Sequence, residues 1–228
     1  MCFLIKASRL CKKFHVGSTE LSALDSVDLS LDRGEFVAIM GPSGSGKTTL
    51  MYILGCLERP TSGSYSLEGI DVINASDWEL SHIRANRIGF VFQTFNLLPH
   101  LNVYENIELP FLYRSLDETH IHQKIMNSIE QVGLKMRIKH RPSELSGGEM
   151  QRVAIARAIC TSPVLILADE PTGNLDSHTG QDILNIFKQL HEGGATIIMV
   201  THDQEVASIA DRTMFIKDGI FLEEPSLA

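Results

Sequence analysis

The chain has 228 residues, of which 43% are hydrophobic and 21% are charged, and its formal net charge at pH 7 is −8. This length buries a substantial core, and the composition is that of an ordinary globular protein. The negative charge provides no broad basic surface, so we expect no nucleic-acid partner. The longest apolar runs are of strand length and the N-terminus lacks the pattern of a secretory signal, so we expect a soluble protein that stays in the cytosol.

The order of apolar patterns along the chain predicts an α/β fold. Residues 22–32 alternate apolar and polar side chains, as antiparallel strands do. Further on, short apolar runs alternate with helical patterns such as 48–57 and 177–194, which predicts a largely parallel, buried sheet. The predicted strands of that sheet are 35–40, 87–93, 164–169, 196–202 and 212–219.

The segment from 94 to 160 is mostly helical, with amphipathic stretches at 117–132 and 148–160. We therefore predict one domain spanning residues 1–228. Its core, together with the antiparallel strands, comprises 1–93 and 161–228, and a helical subdomain is inserted at 94–160.

Residues 41–48 read "GPSGSGKT" and fit the phosphate-loop pattern G-x-x-x-x-G-K-[ST] between a predicted strand and a predicted helix. Glycines allow backbone N–H groups to surround phosphates, Lys47 is placed to reach the β and γ oxygens, and the Thr48 hydroxyl is placed to bind Mg²⁺. The pattern predicts a nucleotide site. Its residues are Gly41, Pro42, Ser43, Gly44, Ser45, Gly46, Lys47, Thr48 and Thr49.

Polar side chains follow three predicted strands, at the end of a parallel sheet where ligands bind. In "VLILADE" (164–170), Asp169 is placed to hold Mg²⁺ and Glu170 to polarise an attacking water as general base, against the alternative of a solvated acidic strand end. His202 ends "TIIMVTH" and is placed to bind the γ-phosphate or the water, although a lone histidine is often structural. Gln93 ends another strand and is placed to contact Mg²⁺ or water.

A second glycine-rich step, "LSGGE" (145–149), precedes an amphipathic helical pattern, and Ser146 lies 146 − 47 = 99 positions after Lys47. Backbone N–H groups at a glycine-rich helix N-terminus attract anions. The chain therefore contains two segments suited to phosphate.

The segments "GPSGSGKTT", "LSGGE", "VLILADE" and "NLD" (174–176), with Gln93 and His202 between and after them, resemble the ATP-binding cassette (ABC) ATPases in order and spacing. The resemblance covers nearly the whole chain. It implies a phosphate-loop ATPase fold, ATP and Mg²⁺ as cofactors, and a head-to-tail dimer in which the "LSGGE" signature of one subunit closes on the ATP held by the other. The residues that it places at this interface are Ser146, Gly147, Gly148, Glu149 and Asp176.

The same resemblance places Phe14 against the adenine ring, with a core aromatic residue as the alternative interpretation. Three longer stretches, 53–65, 90–110 and 140–159, are similar to the ATPases of MacB-type export and LolD-type lipoprotein-release systems and to FtsE, which works in cell division. This similarity implies an integral-membrane permease, which is either a separate protein, as in lipoprotein-release systems, or part of the same chain, as in MacB-type proteins. It also implies a location at the cytoplasmic face of the inner membrane. An FtsE-like role or an importer ATPase remains the alternative.

Two other classes fit the residues less well. A DNA-maintenance ATPase of the superfamily would need a long coiled-coil insertion between Lys47 and Ser146, and the 99 positions leave no room for one. A module that binds ATP without turnover would be expected to lack Glu170 or His202. The apolar side chains of "TFNLLPHL" (94–101) are either subdomain core or a docking surface for the permease.

Overall fold

The computed structural model describes residues 3–17, 19–113 and 117–222. Its strands and helices, in chain order, are β1 (Ile5–Val16), β2 (Thr19–Leu31), β3 (Phe36–Met40), α1 (Lys47–Leu54), β4 (Ser62–Leu67), β5 (Ile70–Asp71), α2 (Asp77–Arg87), β6 (Ile88–Val91), α3 (Val103–Glu108), α4 (Glu118–Gln131), α5 (Gly147–Ile159), β7 (Leu165–Asp169), α6 (Ser177–Glu192), β8 (Ile197–Thr201), α7 (Gln204–Ala207), β9 (Arg212–Lys217) and β10 (Ile220–Leu222).

The larger of the two sheets has the strand order β10-β9-β3-β8-β7-β6. All neighbours pair in parallel except β10, which pairs antiparallel with β9. The side chains of β3 and β8 are buried along their whole length, as expected of central strands that are covered on both faces. The predicted parallel sheet is thus confirmed, with each strand within two residues of its expected bounds.

Alternate residues of the central strands serve two different cores, because successive side chains of a strand point to opposite faces. Leu165 and Leu167 of β7 pack with α1, α2 and the N-terminal strands. Ile166 and Ala168 of the same strand pack with α3 to α6. The sheet therefore forms the middle layer, and its strand ends are held from both sides.

The second sheet is antiparallel and has the order β2-β1-β4-β5. Its first two strands confirm the expectation from the alternating pattern near the N-terminus, and β1 carries several register shifts along β2. The strands β4 and β5 were not predicted, nor was α2. Helix α2 begins with a capping box in which Ser76 and Glu79 satisfy each other's backbone N–H groups.

Among the described residues between β6 and β7, the elements are α3, α4, α5 and three short 3₁₀ helices, Leu109–Tyr113, Lys135–Arg137 and Pro142–Glu144. A loop precedes α3 and is fixed by Asn106, which is fully buried. Its side chain accepts from the Leu98 N–H group and donates to the carbonyls of Leu98, Leu101 and Asn102. One buried amide thus holds the loop that leads from Gln93 into the helical stretch.

In the described part of the chain, no helix is both long and apolar enough to cross a bilayer.

Candidate active site

The phosphate loop connects β3 to α1 and curls around Lys47, the first residue of that helix. The Lys47 side chain is 8% exposed, and its Nζ donates to the carbonyl oxygens of Gly41 at 2.7 Å and Pro42 at 2.8 Å. Pro42, Ser43, Gly44 and Thr48 are exposed. The loop therefore presents backbone and a hydroxyl to solvent while it keeps its ammonium group underneath.

Two glycines of this loop are required by the protein's own backbone. A Cβ at Gly41 would lie 2.1 Å from the carbonyl oxygen of Ile216 in β9. A Cβ at Gly46 would lie 2.4 Å from the carbonyl oxygen of Ala23 in β2, and Gly46 has the left-handed φ of 104° that glycine tolerates best. Strands β2 and β9 therefore press directly on the phosphate loop.

Glu170 and His202 meet at the carboxyl ends of the neighbouring strands β7 and β8. The distance from Glu170 Oε1 to His202 Nδ1 is 2.6 Å, and the Thr201 hydroxyl donates to Glu170 Oε2 at 3.3 Å. The carboxylate is 17% exposed whereas the imidazole is 72% exposed. The structure thus brings together the two side chains that the sequence analysis assigns to hydrolysis, with the carboxylate fixed on both oxygens.

The backbone of Glu170 adopts a left-handed conformation, with φ of 44°. This conformation costs a non-glycine residue about 1–3 kcal/mol and is found mainly where the surroundings impose it. Here the Glu170 N–H group donates to the Val200 carbonyl at 2.9 Å, and the Glu170 carbonyl accepts from the Gly173 N–H group at 3.0 Å. Backbone strain is therefore stored at the proposed general base.

Asp169 is the last residue of β7 and directly precedes Glu170 in the chain. Burial, and secondarily the neighbouring Glu170 carboxylate, raise the pKa of Asp169, while Lys47 acts in the opposite direction. A nearby cation would strongly stabilise the ionised form of a half-buried carboxylate with these neighbours. The Thr48 hydroxyl, exposed at the start of α1, would be a second hard oxygen ligand for such a cation. Together these donors fit a magnesium nucleotide.

We expect Asp169→Asn to raise the Tm of the nucleotide-free protein slightly at about pH 7.5. The raised pKa means that the ionised carboxylate is less stable in the folded protein than in the unfolded chain. This penalty is full above the raised pKa, shrinks as the pH falls, and is gone below the ordinary value of 3.8, where the carboxyl is protonated in both states. Thermal melts should therefore give a smaller gain at about pH 4.5. A lower Tm at both pH values would contradict this assignment.

Gln93 follows β6 and is fastened to the loop after Glu170. Its Nε2 donates to Asn174 Oδ1 at 3.3 Å, and Asn174 Nδ2 donates to the Gln93 carbonyl at 2.9 Å. The same loop passes so close that a Cβ at Gly173 would lie 2.7 Å from Gln93 Nε2. No local pattern in the sequence predicts this pairing, because it joins residues 81 positions apart.

The signature segment begins α5. Ser146 is the N-cap and forms a capping box with Glu149, whose second carboxylate oxygen accepts from Arg137 Nε at 2.7 Å. The Arg137 guanidinium, and then the Ser146 N–H group, lower the pKa of Glu149. A Cβ at Gly148 would lie 2.3 Å from Thr179 Cγ2 of α6. The signature therefore rests on the first turn of α6.

Asp176 is the N-cap of α6, and its carboxylate accepts from the Thr179 N–H group at 3.0 Å. It thus lies at the helix start on which the signature rests. Phe14 is on β1 and is 36% exposed, with Lys12 Nζ 4.9 Å from the centre of its ring. The alternative interpretation of Phe14 as a core aromatic residue is wrong. Across the described residues, no hydrogen bond joins the signature segment, 146–149, to the phosphate loop.

Comparison with known proteins agrees with this geometry. A family model described as ABC transporter matches residues 24–173. The ABC transporter ATP-binding protein YvrO of Bacillus subtilis is 50% identical over 216 residues, which cover 95% of this chain and 94% of YvrO. A solved structure, the dimeric post-hydrolysis state of an ATP-binding cassette with ADP and Pi, superposes with a TM-score of 0.88 at 42% identity, covering 96% of this chain and 97% of that one.

The chain belongs to the ABC transporter family. Within that family it is an ATP-binding cassette, the part that binds and hydrolyses ATP, so the predicted resemblance, fold class and enzyme activity are confirmed. The macrolide export ATP-binding/permease protein MacB of Chlorobaculum tepidum is 48% identical over 221 residues, and these are 97% of this chain but 34% of MacB. The chain therefore spans about a third of MacB.

Proposed function

We propose that two copies of this chain close head to tail on two ATP molecules and thereby drive an integral-membrane permease of MacB or LolD type. The observation that carries the proposal is the separation of two phosphate-binding segments within one chain. The phosphate loop follows Met40 of β3, which pairs with Thr201 of β8, so it shares a sheet edge with the Glu170–His202 pair, whereas Ser146 begins a different helix supported by α6. A second copy supplies the missing signature to each nucleotide.

The roles within one nucleotide site follow from the positions of the donors. Lys47 and the amides of 41–49 bind the phosphates, and Thr48, Asp169 and Gln93 surround the Mg²⁺ ion, which neutralises charge on the β and γ oxygens when it is bound. Glu170 is the general base for the attacking water. His202, which bonds to Glu170 and is largely exposed, contacts the γ-phosphate.

The interface residues come from the partner side of each site. The N–H groups at the start of α5, next to Ser146, Gly147 and Gly148, are directed at the second copy's γ-phosphate, because a helix N-terminus attracts anions. Glu149 is held by Arg137 and completes the cap that keeps this helix start in place. Asp176 lines the interface beside the signature, and exposed Phe14 stacks on adenine in its own chain's site.

The permease partner is proposed from the relatives. MacB, as its name states, carries ATP-binding and permease functions, and the chain matches about a third of it. A permease would hold the dimer at the cytoplasmic face of the inner membrane as a peripheral subunit. We also propose the division of the chain into a core, 1–93 and 161–228, and a helical subdomain, 94–160, which move relative to each other when ATP binds.

An apolar groove of about 810 Å³ marks the surface for that partner. It lies where α2 and β6 meet the helical stretch, and its walls include Trp78, His82, Phe92 and Asn96. Trp78 is 75% exposed and stacks on His82, with ring centres 5.5 Å apart. Large exposed aromatic residues beside an apolar groove fit an amphipathic helix of a partner.

Arg157 of α5 connects this groove to the loop after Gln93. Its guanidinium donates to the Phe95 carbonyl at 2.8 Å and to the Asn96 carbonyl at 2.6 Å, and burial lowers the pKa of Arg157. Both acceptor residues have a positive φ, 59° and 51°. A shift of Gln93 at the nucleotide would therefore move a wall of the groove.

The apolar cluster at 94–101 is divided by the structure. Leu97 packs against the core under α3 to α6, so for Leu97 the core alternative is correct. Leu98 is 39% exposed, and its backbone is held by Asn106 independently of its side chain. Leu98 is not among the residues that line the groove.

We expect Trp78→Ser to lower permease-stimulated ATP hydrolysis by about 10-fold and to leave basal hydrolysis and Tm unchanged, because an interface aromatic contributes mainly to binding. The measurement is ATPase activity in proteoliposomes with the permease encoded beside the gene. Leu98→Ser is the matched variant outside the groove. Loss of stimulation in Leu98→Ser alone would move the docking surface to the loop, and a six-span neighbouring permease would favour an importer instead.

A further inference from the structure

Gln151 is buried in α5, two residues after the signature ends at Glu149. Its side chain is 0% exposed, and its Nε2 donates to the Pro171 carbonyl at 2.7 Å. Its Oε1 is also buried and has no hydrogen-bond partner among the described residues. The NH₂ group of this amide is therefore bonded to the residue that follows Glu170, whereas its oxygen accepts no hydrogen bond from the described residues.

The accepting carbonyl belongs to the tight turn at 170–173. This turn carries the left-handed Glu170 at its first position and closes through the Gly173 N–H group. Its far end lies against Gln93. Gln151 fixes the carbonyl of Pro171 through its hydrogen bond. The peptide groups next to Glu170 therefore have little freedom to rotate away from the left-handed conformation.

An unpaired buried acceptor lowers stability, and an apolar side chain of the same length would avoid that cost. A buried polar group that a native fold leaves without a partner is a candidate for a role other than folding. We infer that Gln151 is a positioning residue, which holds the turn so that the Glu170 carboxylate stays aimed at the attacking water. This inference rests on the proposed role of Glu170 as general base.

The arrangement has a consequence for the dimer. Helix α5 begins at Ser146, which serves the ATP bound by the second copy, and Gln151 joins the same helix to the general base of its own chain. When the signature of one chain binds the ATP held by the second copy, α5 and Gln151 therefore transmit this contact to the general base of the first chain.

The test compares Gln151→Met with the unchanged protein. We expect kcat to fall by about 10- to 100-fold, the range for a misplaced catalytic group, with ATP affinity unchanged and Tm unchanged or higher. Gln131→Met, the same replacement at the exposed end of α4, should change none of these quantities. An unchanged kcat, or an equal loss of kcat and ATP affinity, overturns the inference.

A second comparison separates this inference from the proposed function. If Gln151 acts through Glu170, then Gln151→Met should cause no further loss of kcat in a Glu170→Gln background. An independent, multiplicative loss overturns the positioning role. Near-normal turnover of Glu170→Gln by itself would instead remove the general-base assignment. Should Gln151→Met fail to fold, Gln151→Leu replaces it, and unfolding of both variants makes the residue structural and ends the inference.

Discussion

Glu170→Gln should retain ATP binding and lose ATP turnover by about 10²- to 10⁴-fold, the usual range for removal of a general base. The amide keeps the size of the carboxylate, and its oxygen still accepts from Thr201 or His202, which now hold the carboxylate at 3.3 Å and 2.6 Å. The backbone strain at this position is unchanged by the replacement. Phosphate release measures the turnover, and equilibrium binding of labelled ATP measures the affinity.

The matched control for this change is Glu118→Gln, because Glu118 is an exposed residue in the first turn of α4. Its turnover should equal that of the unchanged protein. Hydrolysis by Glu170→Gln at more than about a tenth of the normal rate would remove Glu170 from the role of base. The attacking water would then depend on another group, with His202 the first to examine.

A mixture of two defective variants should form the ATP-dependent dimer that neither variant forms alone. In a Glu170→Gln background, we expect neither Lys47→Ala nor Gly147→Asp to dimerise with ATP by itself. The first lacks the ammonium group on the phosphates, and the second places a carboxylate beside the partner's γ-phosphate. A mixture retains one complete site, formed by the Gly147→Asp chain's phosphate loop and the Lys47→Ala chain's signature. Light scattering should detect heterodimers with one trapped ATP.

The structure decides which signature glycine is suitable for this experiment. At Gly148 any side chain would strike Thr179, so a loss of dimers would have two explanations. At Gly147 the nearest atom to a Cβ is Leu175 Cδ2 at 3.2 Å, the end of a flexible side chain. Gly147→Ala is therefore the control and should still dimerise. An absence of ATP-dependent dimers in the Glu170→Gln protein itself would contradict the closed dimer.

Local patterns in the sequence were sufficient to predict the strands and helices that carry the proposed phosphate-binding and catalytic residues. The strand before the phosphate loop, the strands that deliver Asp169 and His202, and the helix after "LSGGE" all combine an apolar run with a polar or glycine-rich end. Such ends fix where a ligand binds, because parallel strands share an edge. The signal for α2 was also local, since Ser76 and Glu79 form a readable capping box, but the sequence analysis did not use it.

The contacts that tie the site together were not predictable from local patterns. Gln151 with Pro171 and Arg157 with Asn96 join residues 20 and 61 positions apart, and each bond depends on how α5 packs against the sheet. The left-handed backbone of Glu170 is likewise imposed by neighbours, because nothing in its residue type favours it. Pattern and propensity describe single elements, whereas these interactions exist only between elements.

The close approach of β2 and β9 to the phosphate loop affects how inactive relatives of this protein can be recognised. Gly41 and Gly46 face backbone carbonyls of their own chain. A relative that no longer binds nucleotides would therefore still need both glycines in order to fold. The presence of both glycines in another chain therefore indicates the same fold around the phosphate loop, and it does not indicate ATPase activity. Whether such a chain is a working ATPase is better read from Lys47, Glu170 and His202, whose side chains can be lost without a backbone collision.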